Sequence, residues 1–122
     1  MSDESLNQKT CIPCQGGVPI LTPEEVQRYV PKIAHHWTVT HDSRRLFLSV
    51  KTKDFNDSMI LAGRIGKMAD DQWHHPELTV GYGHLDVEVW THKVDGLVES
   101  DFIFASKVDL ILEEESSLIK TV

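Results

Sequence analysis

"DDQWHHPELTVGYGHLDVEVWTHKVDG", residues 70–96, holds four of the seven histidines of the chain and reads as a β-hairpin. Gly83-His84 fits a two-residue type II′ turn, which places Gly first. That turn pairs Tyr82 with Leu85, Val80 with Val87, Leu78 with Val89 and Pro76 with Thr91, a face that is nearly all apolar. The other face then carries Gly81/Asp86, Thr79/Glu88, Glu77/Trp90 and, at the open end, His75/His92. His84 sits at the turn tip and is expected to be a turn residue only. His74 and Asp70 lie in the connection from a preceding helix. The register therefore gathers His74, His75, His92 and Asp70 at one end of a hairpin.

The segments on either side complete the architecture. "TKDFNDSMILAGRIGKMADDQ" (52–72) has helical period, with Thr52 or Asp54 as cap. Phe55, Met59, Leu61, Ala62, Ile65, Met68 and Ala69 share its broad apolar face, and Gly63 and Gly66 suggest close packing. "DGLVESDFIFASKVDLILEEESSLIK" (95–120) reads as a long last helix with Phe102, Ala105, Val108, Ile111 and Leu112 inward. Ile103 and Phe104 are left over as apolar surface for a subunit contact. Upstream, "HWTVTHDSRRLFLSVK" (36–51) is a second hairpin turning at "DSRR". Before it, Thr22, Pro23 and Glu25 form a helix start with a capping box, and Pro31 marks its end. The order is helix, strand, strand, helix, strand, strand, helix. Two hairpins without a βαβ period predict an α+β fold, a four-stranded antiparallel sheet with helices on one face.

At 122 residues the chain suits one domain, read as 21–122, preceded by a flexible arm (1–20) that contains Cys11 and Cys14 in "CIPC". The net charge of −7 and the lack of a basic block argue against direct nucleic-acid binding. No apolar run suits a membrane span or a signal core, which predicts a cytoplasmic protein. Cys11 and Cys14 would be half a zinc site or a redox pair. No second cysteine pair accompanies them, and the plainer reading is a surface tail with reduced thiols.

Converging imidazoles admit three readings. Each is a histidine satisfied by a neighbour, or the group binds a metal with a carboxylate, or it performs general acid–base catalysis. Adjacent residues in a strand diverge, which disfavours chelation by His74 and His75 together. An imidazole exchanges protons readily near neutrality, and no Ser or Cys nucleophile stands beside these histidines. Elimination or hydration of a small neutral or aromatic substrate fits this set best.

"HHPE" (74–77), Tyr82, "VEVWTH" (87–92), the "GL" at 96–97 and Asp101 strongly resemble the pterin-4a-carbinolamine dehydratases, also known as dimerisation cofactors of a homeodomain transcription factor. The likeness runs over about residues 22–112 and includes Trp37 and "KDFN" (53–56). It implies a hydro-lyase that dehydrates 4a-hydroxytetrahydropterin to quinonoid dihydropterin and so recycles the cofactor of aromatic amino acid hydroxylases. It implies no metal, no organic cofactor, and a homodimer or homotetramer. By matching positions, His74 and His92 fall to proton transfer and Asp70 to orienting a histidine. His75, Pro76, Trp37 and Asp101 fall to substrate binding, with a plain core role equally open to Trp37. The same resemblance leaves an alternative, a non-enzymatic oligomeric protein-binding module of coactivator type. The chain departs from the family pattern at Asp70, usually Glu; at Trp73, usually a smaller polar residue; and at Val98, usually Ser or Thr at the cap of the last helix.

Overall fold

The structure, a computed structural model, describes residues 6–11 and 19–122. Helix α1 (Pro23–Tyr29) begins as its sequence requires. Thr22 Oγ1 accepts from the Glu25 N–H at 3.2 Å, and Glu25 Oε1 accepts from the Thr22 N–H at 2.9 Å. Pro31 falls in a single 3-10 turn, Val30–Lys32, directly after it. Strands β1 (Thr38–Thr40) and β2 (Arg45–Thr52) follow, then α2 (Phe55–Gln72), β3 (Glu77–Gly81), β4 (His84–Val89) and α3 (Glu99–Glu114). The sheet is antiparallel in the order β1-β2-β4-β3. Leu46, Leu48 and Val50 of β2 and Leu85, Val87 and Val89 of β4 alternate inward. They meet Leu61, Ile65 and Ala69 of α2 and Phe102, Ala105 and Val108 of α3. Fully burying such side chains stabilises by roughly 1.5–3 kcal/mol each, so this seam supplies most of the driving force.

The sheet has a fifth strand. The predicted last helix stops at Glu114, and β5 (Ile119–Thr121) returns antiparallel to β2, with Thr52 opposite Ile119. Three successive acids, Glu113 to Glu115, meet the negative end of the helix dipole, and two serines follow. Leu118 and Ile119 instead pack against the core from the sheet edge.

Four further expectations are corrected. Ile103 and Phe104 are buried within the chain, not spare surface. A 3-10 turn at Leu6–Gln8 packs on α3, and Leu6 and Cys11 join the core cluster. On α2, Phe55 and Met59 are half exposed, while Ser58 is buried on the inward face. Gly63 and Gly66 have open space beside them, so no close packing within the chain depends on them. Among the described residues no helix is long and apolar enough to cross a membrane.

The start of α3 carries only half a capping box. Asp101 Oδ2 accepts from the Val98 N–H at 2.9 Å, and Val98 has no side-chain acceptor to return the bond. Val98→Thr is expected to raise stability by about 0.5–1 kcal/mol, the lower part of the range for a restored cap because the position is buried. An unchanged thermal midpoint would contradict this.

Candidate active site

The hairpin that carries the histidines forms in a register different from the predicted one. Tyr82 and Gly83 are the loop, with Gly83 in the left-handed region at φ 84°, and Gly81 stands opposite His84. The pairs are then Val80 with Leu85, Leu78 with Val87 and Glu77 with Glu88. A two-residue slip keeps every side chain on its own face, so the apolar pattern is satisfied equally well in both registers. His84 therefore opens β4, with its Nδ1 3.5 Å from Asp86 Oδ1, and is not a turn residue. Pairing ends before His75 and His92, which do not face each other across strands.

They converge by another route. Trp73 ends α2 in the left-handed conformation, at φ 52°, and the His74 N–H returns to the Ala69 carbonyl at 3.2 Å. This turn sends His74 inward and His75 outward. On the far side, the isolated bridge Thr91–Gly96 closes a short loop whose 3-10 turn begins at His92. The two segments border one cleft of about 330 Å³, lined by Trp73, His74, His75, Trp90, Thr91, His92 and Lys93. Larger hollows lie between α2 and α3, about 670 Å³, and beside β5, about 480 Å³. Neither brings together more than one imidazole, and the histidine cleft is preferred on that chemistry.

Each imidazole has its own support. His74 is buried, and its Nε2 lies 2.6 Å from Oδ1 of Asp101, which is wholly inaccessible. Oδ2 of the same carboxyl accepts from Thr91 Oγ1 at 2.8 Å and from the Val98 N–H. With both oxygens used as acceptors, the proton on this short bond belongs to the imidazole, since a carboxylate is the better acceptor of the two. His74 thus holds Nε2–H, and Nδ1 keeps a lone pair in the neutral ring. His75 is exposed, with Nε2 3.0 Å from Asp70 Oδ1. His92 is exposed and stacks on Trp90, with ring centroids 4.4 Å apart and planes at 29°.

The remaining candidates separate from the cleft. Asp101 lies behind His74 as its anchor, out of reach of a ligand. Pro76 and Asp70 do not line the cleft. Trp37 is buried elsewhere, its Nε1 donating to Asp109 Oδ1 at 2.8 Å, and it does not line the cleft. Asp109 also accepts from the Ala34 N–H, while burial raises its carboxyl above the ordinary range. Thr91, Trp90, Trp73 and Lys93 were not predicted as site residues. Thr91 had a signal in the sequence, directly before His92 in "VWTH". Among the described residues no group of three or more His, Cys, Asp or Glu is arranged to hold a metal ion.

The surface-tail reading fails at Cys11. Its Sγ lies 3.5 Å from the Ser100 carbonyl, and its N–H donates to Gln72 Oε1 at 2.9 Å. Burial pushes its thiol up to about 12, so it is neutral at ordinary pH. Cys14 lies outside the described residues.

The family model for pterin 4 alpha carbinolamine dehydratase matches residues 19–111. The chain belongs to the pterin-4a-carbinolamine dehydratase family. Membership makes it an enzyme of the dehydratase class. A Rickettsia bellii (strain OSU 85-389) protein named "Putative pterin-4-alpha-carbinolamine dehydratase" is 44% identical over 107 residues, covering 88% of this chain and 94% of that protein. A Rubrobacter xylanophilus protein of the same name is 42% identical over 104 residues, covering 85% and 95%. A crystal structure of a transcriptional coactivator/pterin dehydratase from Brucella melitensis aligns with a TM-score of 0.70 at 27% identity, over 76% of this chain and 98% of that one. A pterin dehydratase-like RuBisCO assembly factor of the alpha-carboxysome shares the fold, with a TM-score of 0.53 at 16% identity over 65% and 94%.

Proposed function

We propose that this dehydratase converts 4a-hydroxytetrahydropterin to quinonoid dihydropterin and water by histidine acid–base catalysis. The reading is carried by one observation: a buried imidazole–carboxylate pair and a second imidazole border the same cleft. The reaction breaks the C4a–O bond, removes the N5 proton and forms the C4a=N5 double bond. His74 is the base. Asp101 occupies its Nε2–H, so its Nδ1 lone pair takes the N5 proton. The pair also stabilises the imidazolium formed, as in other carboxylate-backed histidines. His92 gives a proton to the departing hydroxyl. His75, braced by Asp70, binds the pterin at the rim. No metal or organic cofactor enters the scheme. The product would then be reduced for reuse by an aromatic amino acid hydroxylase, in a cytoplasmic recycling role. The test is dehydration by purified protein above the spontaneous rate. A rate equal to the spontaneous one would overturn the proposal and favour the alternative, a coactivator-like binding module. That alternative draws its support from the Brucella structure's double description.

A homodimer or homotetramer is part of this reading. Ile103 and Phe104 no longer support it, but the half-exposed Phe55, Met59 and Ile60 on α2 and the free edge of β3 do. Sedimentation at micromolar concentration is expected to give a multiple of the chain mass. A monomer would contradict this.

A further inference from the structure

His74 and His75 are each fixed by a carboxylate, at 2.6 and 3.0 Å respectively. His92 is not. Among the described residues nothing hydrogen-bonds its ring. Among the described residues its ring contact is the indole of Trp90, which is itself held in place. The Arg45 guanidinium lies over the Trp90 ring at 4.1 Å, so the indole touches both Arg45 and His92. Arg45 is itself tied down. It donates to Asp95 Oδ1 at 2.7 Å and to the Arg44 carbonyl at 3.1 Å. Asp95 closes the circuit, because its N–H donates to the His92 carbonyl at 3.2 Å and ends the 3-10 turn that His92 begins. Side chain and backbone of His92 are thus referred to the same guanidinium, and Arg45 is largely shielded from water.

We propose that Arg45 and Trp90 are positioning residues that set the plane of the His92 imidazole while leaving both its ring nitrogens open to the substrate. A carboxylate partner would immobilise the ring as well but would occupy one nitrogen. A stacked indole constrains the plane and uses neither nitrogen. This suits a ring that must give up a proton to a leaving hydroxyl and then recover one from solvent. The inference rests on the acid–base reading above.

The experiment pairs kinetics with a structural signal that does not depend on turnover. In the intact protein the His92 Hδ2 and Hε1 resonances, assigned with His92→Gln, are expected upfield from the Trp90 ring current. Trp90→Ala should abolish that shift and lower kcat about 10- to 100-fold, the scale of a misplaced reacting group, with KM changed less than about threefold. Trp90→Phe should recover most of both. Arg45→Met should lower kcat about 2- to 5-fold, in line with the loss of one cation–π contact. A rise in KM at constant kcat in Trp90→Ala would make the indole a substrate wall and overturn the proposal. So would a Phe variant as impaired as the Ala variant, or an unshifted His92 ring in the intact protein. An intact protein that shows the ring-current shift but no dehydration overturns the reaction reading, and the catalytic use of the frame with it.

Discussion

His74→Ala and His92→Ala are each expected to lower kcat by about 10²–10⁴-fold with little change in KM, the range for a positioned acid or base. His74 presents one nitrogen to the cleft because Asp101 holds the other. Its loss removes the base and also leaves the buried carboxylate without its partner. Among the described residues no carboxylate contacts the His92 ring, so His92→Ala should change activity while leaving thermal stability almost untouched. The double variant should be less impaired than the product of the single effects, because both groups act on one elimination and the spontaneous reaction sets a floor. His75→Ala belongs to another class and should chiefly raise KM. Steady-state kinetics over a range of substrate concentrations decides. Full activity in both single variants would remove the proton-transfer assignment even in an active dehydratase.

Asp101→Asn is expected to lower kcat by a similar factor of about 10²–10⁴ without unfolding the protein. The amide oxygen still accepts from Thr91 Oγ1 and the Val98 N–H, so the start of α3 keeps its bonds. The amide nitrogen then faces His74 Nε2 and donates to it. The imidazole proton moves to Nδ1, and the nitrogen that should accept a proton already carries one. Asp101→Ala leaves the same donors unpaired in the interior and should cost stability as well, at about 1–3 kcal/mol per buried unsatisfied group. Circular dichroism and turnover, measured together, separate the two effects. If Asp101→Asn retains most of the activity, His74 does not act through the proposed tautomer.

The parts of the fold that follow from period and punctuation were legible in the sequence. Thr22, Pro23 and Glu25 specify the first turn of α1, and the alternation in Leu46–Val50 and Leu85–Val89 specifies which sheet face is buried. What period leaves degenerate was not legible. Alternation is unchanged by a slip of two residues, so it cannot choose between a loop at Gly83-His84 and one at Tyr82-Gly83. The sequence nevertheless grouped the three histidines that border the cleft, because both ends of the hairpin lie at one end of the sheet whatever the pairing. Their supports were harder to read. Asp101 is 27 residues from His74, and Arg45 is 45 residues from Trp90 and 47 from His92, contacts that only the packed sheet creates. Trp37, which the family likeness offered for the pocket, took the core role equally open to it, because its indole N–H finds a partner in Asp109, 72 residues away. β5 was missed because Leu118 and Ile119 continue a helical pattern that the acids before them interrupt.

The burial of Cys11 turns the N-terminal segment into a built-in clock. A neutral, covered thiol reacts with an alkylating reagent only while its cover is lifted. The ratio of its labelling rate to that of a free thiol, in a Cys14→Ser background, therefore measures the equilibrium for local opening. That opening is not remote from the chemistry. Cys11 is bonded to Gln72, two residues before His74, and to Ser100, the neighbour of Asp101. Sequence changes that loosen this segment should speed labelling and slow turnover in step, so a single thiol reports how firmly the chain ends of α2 and α3 hold the imidazole–carboxylate pair between them.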